Sequence, residues 1–134
     1  MRRRDFARSA LLGAGLVATL PAIARAATPS PTSNVVFTQA DPGHWGPNFA
    51  AVHVPQVTVA GGVVSVKTPH EPGEGHYIVS HTVVLANGVY LHRKNFTSTD
   101  DPVSEHKLPD GYKGPVIVTS ACNLHDLWVT TVTV

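Results

Sequence analysis

Two dipeptides, Gly61-Gly62 and Asn87-Gly88, decide most of what this chain can fold into. Each stands between short segments rich in Val, Ile and Thr. A two-residue connection needs positive φ at its centre, which glycine and asparagine tolerate, and it turns one strand antiparallel to the next. Segments 56–60 and 63–68 therefore read as one hairpin, and 76–86 and 89–96 as a second. Residues 34–38, 115–121 and 127–134 supply further β-branched runs. No helical period is found after residue 30. About seven short strands with turns between them predict an all-β, immunoglobulin-like β-sandwich. Residues 41–51, with Pro42-Gly43 and Gly46-Pro47, read as a loop, as does the polar, acidic stretch 97–107.

The first 26 residues read as an address label rather than as fold. Arg2-Arg3-Arg4-Asp5-Phe6 is a basic start with a twin arginine. Residues 10–24 are apolar but short for a bilayer span, and Ala24-Arg25-Ala26 has the small-x-small form of a cleavage site. The expectation is a cleavable twin-arginine signal peptide over 1–26 and a periplasmic, exported product. A flexible tether rich in Pro, Ser and Thr follows over 27–33, and one domain over 34–134. No membrane anchor is expected after cleavage.

Removing that segment inverts the charge. The whole chain carries +1, but the part after residue 26 has five Lys and Arg against eight Asp and Glu, a net −3. Such a balance gives no basis for binding nucleic acid or an anionic membrane. It leaves an association of identical copies open.

The chemistry concentrates at Cys122-Asn123-Leu124-His125. A strand would point residues three apart to opposite faces, whereas a tight turn can aim both at one point, and Asn123 suits a turn. Cys122 is the only cysteine, so it can form no internal disulfide. A thiolate and an imidazole at one point suit a transition metal. Further ligands must come from the other histidines. His53 precedes Pro55 at the start of a strand, and His70 and His76 bracket the bent segment Glu71-Pro72-Gly73-Glu74-Gly75. Loops gather at the ends of a sandwich. His53, His70, His76 and His125 with Cys122 would nearly fill an octahedron and leave one position open. His44, His81, His92 and His106 read as ordinary histidines outside this set.

This pattern resembles the superoxide reductases of the neelaredoxin and desulfoferrodoxin group. The resemblance rests on His53-Val54-Pro55, on Pro69-His70 with His76-Tyr77-Ile78, and on Cys122-Asn123-Leu124-His125 followed by Leu127-Trp128, in that order. It implies a mononuclear non-haem iron held by His53, His70, His76 and His125, with Cys122 as axial ligand. It also implies one-electron reduction of superoxide to hydrogen peroxide at the open Fe(II) position. An external electron donor would restore the ferrous state, and the thiolate would favour release of the product. The cysteines of the extra N-terminal domain found in some relatives are missing.

Three positions depart from the family pattern. Ala51 and Val52 stand where many relatives carry Glu-Lys, so the usual anion-attracting lysine is absent. Lys67, near His70, is the candidate substitute. Asp126 replaces a glycine common after the last histidine. The competing expectation is a cupredoxin-like electron-transfer protein, which uses two His, one Cys and a weak axial ligand. The only methionine, Met1, lies in the leader and could not be that ligand.

Overall fold

Ala60 pairs with Val63 across Gly61 and Gly62, whose φ angles are +57° and +76°, so the first hairpin forms as its dipeptide demands. The computed structural model describes Thr32 and residues 34–134. The expected leader and nearly all of the tether lie outside the described residues. Eight strands are described: β1 (Val36–Phe37), β2 (Gln56–Ala60), β3 (Val63–Lys67), β4 (Ile78–Leu85), β5 (Tyr90–Asn95), β6 (Val103–Lys107), β7 (Pro115–Cys122) and β8 (Leu127–Thr133). They form a five-stranded sheet in the order β1-β8-β7-β4-β5 and a three-stranded sheet in the order β2-β3-β6. The expected immunoglobulin-like sandwich is what the chain builds.

Alternation explains how the sheets face each other. On β7, Val116, Val118, Ser120 and Cys122 are buried at every second position. Val116 and Val118 meet Val83 and Leu85 of β4 and Val64 and Val66 of β3 in one core. Burying a side chain of this size contributes roughly 1.5–3 kcal/mol. Towards the other end the core changes character. Phe37, Ala50 and Trp128 form one cluster, and Ile78, Phe96 and Cys122 another.

Three expectations are corrected. Residues 41–51 are not all loop: a short 3₁₀ turn, Gly43–Trp45, leads into a helix, α1 (Pro47–His53). Pro47 opens the helix, where its missing N–H is no loss, and Val54 before Pro55 is extended and ends it. Seven residues are too few to print a helical period on the sequence. Within 97–107, β6 pairs with β3 over its whole length. Its inward residues, Ser104 and His106, are polar, which hid the strand. Third, the connection after β4 is a 3₁₀ turn, Ala86–Gly88, with a register shift at Val83/Val84, rather than a simple two-residue hairpin.

Candidate metal centre

Each site residue is delivered by a junction between elements. His53 ends α1, and its Nδ1–H donates to the Phe49 carbonyl at 2.9 Å, which leaves the Nε2 lone pair free. Thr130 on β8 donates to the Pro55 carbonyl at 2.6 Å and ties this segment to the five-stranded sheet. His70 follows β3, and His76 precedes β4. Cys122 is the last residue of β7, and the Cys122 amide closes its turn onto the Asp126 carbonyl at 3.0 Å.

Asn123 stitches that turn to the histidine loop. Its Oδ1 accepts from the Tyr77 amide at 3.0 Å, its Nδ2 donates to the Gly75 carbonyl at 2.9 Å, and its own amide donates to the Tyr77 carbonyl at 3.2 Å. The side chain that suits the turn therefore also sets the distance between Cys122 and His76. Asn123→Ala is expected to weaken metal binding by about 10- to 100-fold, read by competition with a chelator.

The four histidines converge. His53 Nε2 lies 3.0 Å from His125 Nδ1, which lies 3.0 Å from His76 Nε2, which lies 3.0 Å from His70 Nε2. Cys122 Sγ is 3.6 Å from His125 Nδ1. The donor atoms of His53, His70, His76 and Cys122 all lie within 4.8 Å of one another. Two nitrogens at right angles about a metal, each roughly 2.1 Å from it, lie roughly 3.0 Å apart. Protons cannot satisfy this chain, because His125 Nδ1 and His76 Nε2 each face two other ring nitrogens and a nitrogen carries at most one hydrogen. A cation shared by the compact group of His53, His70, His76 and Cys122 donors removes the conflict, and His125 Nδ1, 3.0 Å from two of those nitrogens, borders that group. The residues present therefore fit a single metal ion with imidazole and thiolate donors.

Electrostatics agree with that fit. Burial, and then the neighbouring His70, His125 and His76, push His53 down to about 4 against the bond from its ring to Phe49. Burial is also the main reason that His70 and His125 fall below the usual histidine value, with His76 adding to both. Neutral imidazole is the ligating form, so these rings are ready to bind at neutral pH. Cys122 is 7% exposed between Ile78 and Phe96, and its sulfur accepts the Leu124 amide at 3.5 Å.

Aromatic rings hold the imidazoles in place. Trp128 is fully buried, stacks on His53 at 5.5 Å and donates its indole N–H to the His125 carbonyl at 2.7 Å. Trp45 and Phe49 each present an edge-on contact to His125 at 4.8 Å. Asp126 has φ +63°, a left-handed conformation that explains why glycine suits this place. Its carboxylate accepts the Trp45 indole N–H at 3.0 Å, so it braces the ring beside His125.

A cavity of about 370 Å³ opens onto His53, His70 and His76, and Asn48, Phe49, Val52, Pro69 and Glu71 complete its wall. Cys122 and His125 do not line it. Val52 faces this cavity from α1. Lys67 sits instead in a neighbouring depression with Thr68, His70, Glu71 and Asp101. Among the four histidines set aside above, His44 is exposed, but His81 and His106 are 0% and 2% exposed. No periodic signal distinguishes such buried histidines from solvated ones.

No family model matches the chain, and no curated protein matches it. Solved structures do. A superoxide reductase (neelaredoxin) variant from Ignicoccus hospitalis superposes with a TM-score of 0.68 at 23% identity, over 75% of this chain and 93% of that one. A superoxide reductase (neelaredoxin) variant from Archaeoglobus fulgidus, in the reduced form, gives 0.55 at 26% identity over 63% and 89%. The superoxide reductase (1Fe-SOR) from Giardia intestinalis gives 0.55 at 22% identity over 61% and 97%. The resemblance carried by the three motifs thus extends to the fold.

Proposed function

We propose that this chain, which has the fold of the superoxide reductases, is an exported mononuclear iron protein that reduces superoxide to hydrogen peroxide. The observation that carries the proposal is the run of four imidazole nitrogens 3.0 Å apart with the Cys122 sulfur beside them. Iron, when bound, would supply the one-electron couple, with an external donor returning the electron. His53, His70, His76, His125 and Cys122 would hold it. The cavity beside the three histidines would admit the substrate, while Trp128, Phe49 and Trp45 keep the rings fixed. Export is supported by the twin-arginine leader expected over 1–26, whose class passes proteins already folded. A blue-copper site uses two histidines, so the four gathered here favour iron.

The test is metal content with electron paramagnetic resonance, followed by rapid-mixing kinetics with superoxide. One high-spin ferric ion per chain and stoichiometric peroxide support the proposal. Copper, or iron that superoxide does not oxidise, overturns it.

The cavity wall also sets the expected rate. Glu71 is the one acidic residue on the wall among the described residues, and no described lysine or arginine lines the space. An anion is therefore poorly steered. Val52→Lys, at an exposed helix position, is expected to raise the second-order rate with superoxide by about tenfold at low salt, with the gain fading as salt is added.

A further inference from the structure

A second group of histidines lies outside the metal centre, and its hydrogen atoms can be assigned by deduction. A chain of polar groups runs through the core from β7 to the edges of β6 and β5. The Thr68 hydroxyl donates to Ser120 Oγ at 2.9 Å. Having spent its only hydrogen there, Thr68 Oγ1 must accept at its 2.8 Å contact with His81 Nε2. His81 is fully buried and neutral, so its Nδ1 is bare and must accept the Ser104 hydroxyl at 2.8 Å. The Ser104 oxygen must then accept from His106 Nε2–H, also at 2.8 Å. Neutral His106 is left with a bare lone pair on Nδ1.

That lone pair points at His92. The two Nδ1 atoms lie 3.0 Å apart, matching the nitrogen spacing found three times in the metal centre. They face a surface depression of about 350 Å³ whose wall also includes Leu91, Glu105 and Lys107. His106 has the two marks of a metal ligand: a free lone pair, and its other nitrogen anchored to a fixed acceptor. His92 is exposed, so its ring is free to present the matching lone pair. The Lys94 ammonium, held on the Val103 carbonyl at 3.1 Å, acts against a cation here, while burial, then His92 and Lys94, hold His106 below the usual histidine value, which favours the neutral, ligating ring.

We propose that His92 and His106 form a second, exchangeable site for a divalent transition metal such as Zn²⁺, bridging the edges of the two sheets. Imidazole pairs suit zinc, copper and nickel, and two protein ligands leave the remaining positions to solvent. The buried chain from Ser104 to Ser120 is the support that holds His106 in the ligating tautomer. The ion would join β5 to β6, which otherwise meet along few contacts.

Zinc titration of the whole protein, with every bound metal counted, tests this independently of what occupies the first centre. Wild type is expected to take up one more zinc per chain than His92→Ala, and its unfolding temperature should rise by roughly 10 °C at about a hundred times the Kd. With the first centre already filled in both proteins, His92→Ala should unfold at the wild-type temperature without added zinc and lose the rise. Ser104→Ala frees the His106 tautomer, so zinc binding should weaken by at least about tenfold with both ligands still present. Equal zinc uptake by wild type and His92→Ala overturns the proposal, as does the absence of an extra zinc in wild type.

Discussion

Cys122→Ser is expected to abolish the visible thiolate-to-metal absorption of the oxidised, iron-loaded protein. Cys122 Sγ reaches to 3.6 Å from His125 Nδ1, at the centre of the histidine run, and is screened from solvent by Ile78 and Phe96. Its position is set by β7, by the Asp126 carbonyl and by Asn123, none of which serine disturbs. The substitution therefore exchanges a soft, ionisable donor for a hard hydroxyl in the same turn. The four imidazoles should still retain much of the metal, so the spectrum should change before the occupancy does. The rate with superoxide should fall by at least about 100-fold, roughly 2.7 kcal/mol in the barrier. His44→Ala is the matched control: that ring is exposed and touches Phe37 and Trp45 instead of the centre. An unchanged spectrum in Cys122→Ser would remove Cys122 from the ligand set.

The parts of the site that were legible in the sequence are those with short, local rules. Cys122 and His125 are close because a turn of that length leaves them no alternative, and Asn123 marked the turn. His70 and His76 were legible because the bent segment between them had to return. The contribution of His53 could be guessed, but not its mount. It hangs from a seven-residue helix, whose one local sign is Gly46-Pro47 at its start. The same holds for the strands. Gly61-Gly62 fixed a register, because only positive φ closes that turn. β6 was missed because Ser104 and His106 face inward, and alternation assigns a polar residue to the solvent side unless something inside receives it. His81 on β4 receives Ser104, Ser104 in turn receives His106, and Thr68 after β3 receives His81; such partners from distant segments are invisible to a local pattern.

Those buried partners set the last and largest expected effect, acid lability of the metal-free protein. Burial, with smaller contributions from His106 and Lys94, pushes His81 down to about 4, and burial does the same to His53. Both values lie below the unfolded value of 6.5. The unfolded chain therefore binds protons more readily than the folded one, and stability rises with pH across this window. The full contribution is present above pH 6.5 and is lost progressively as the pH falls toward 4, below which the curve flattens. Each histidine accounts for about 3 kcal/mol on a scale of about 1.4 kcal/mol per pH unit. Together they rival the whole stability of a small domain, roughly 5–15 kcal/mol. Urea unfolding of the metal-free protein between pH 7 and pH 4.5 should show this loss. His81→Gln can donate to Thr68 and accept from Ser104 without titrating, so it should remove the contribution of His81 and leave a clearly shallower pH dependence. It should leave metal stoichiometry at neutral pH unchanged, because His81 lies outside the ligand set. A slope identical to wild type would mean that His81 is not the buried base that acid must charge.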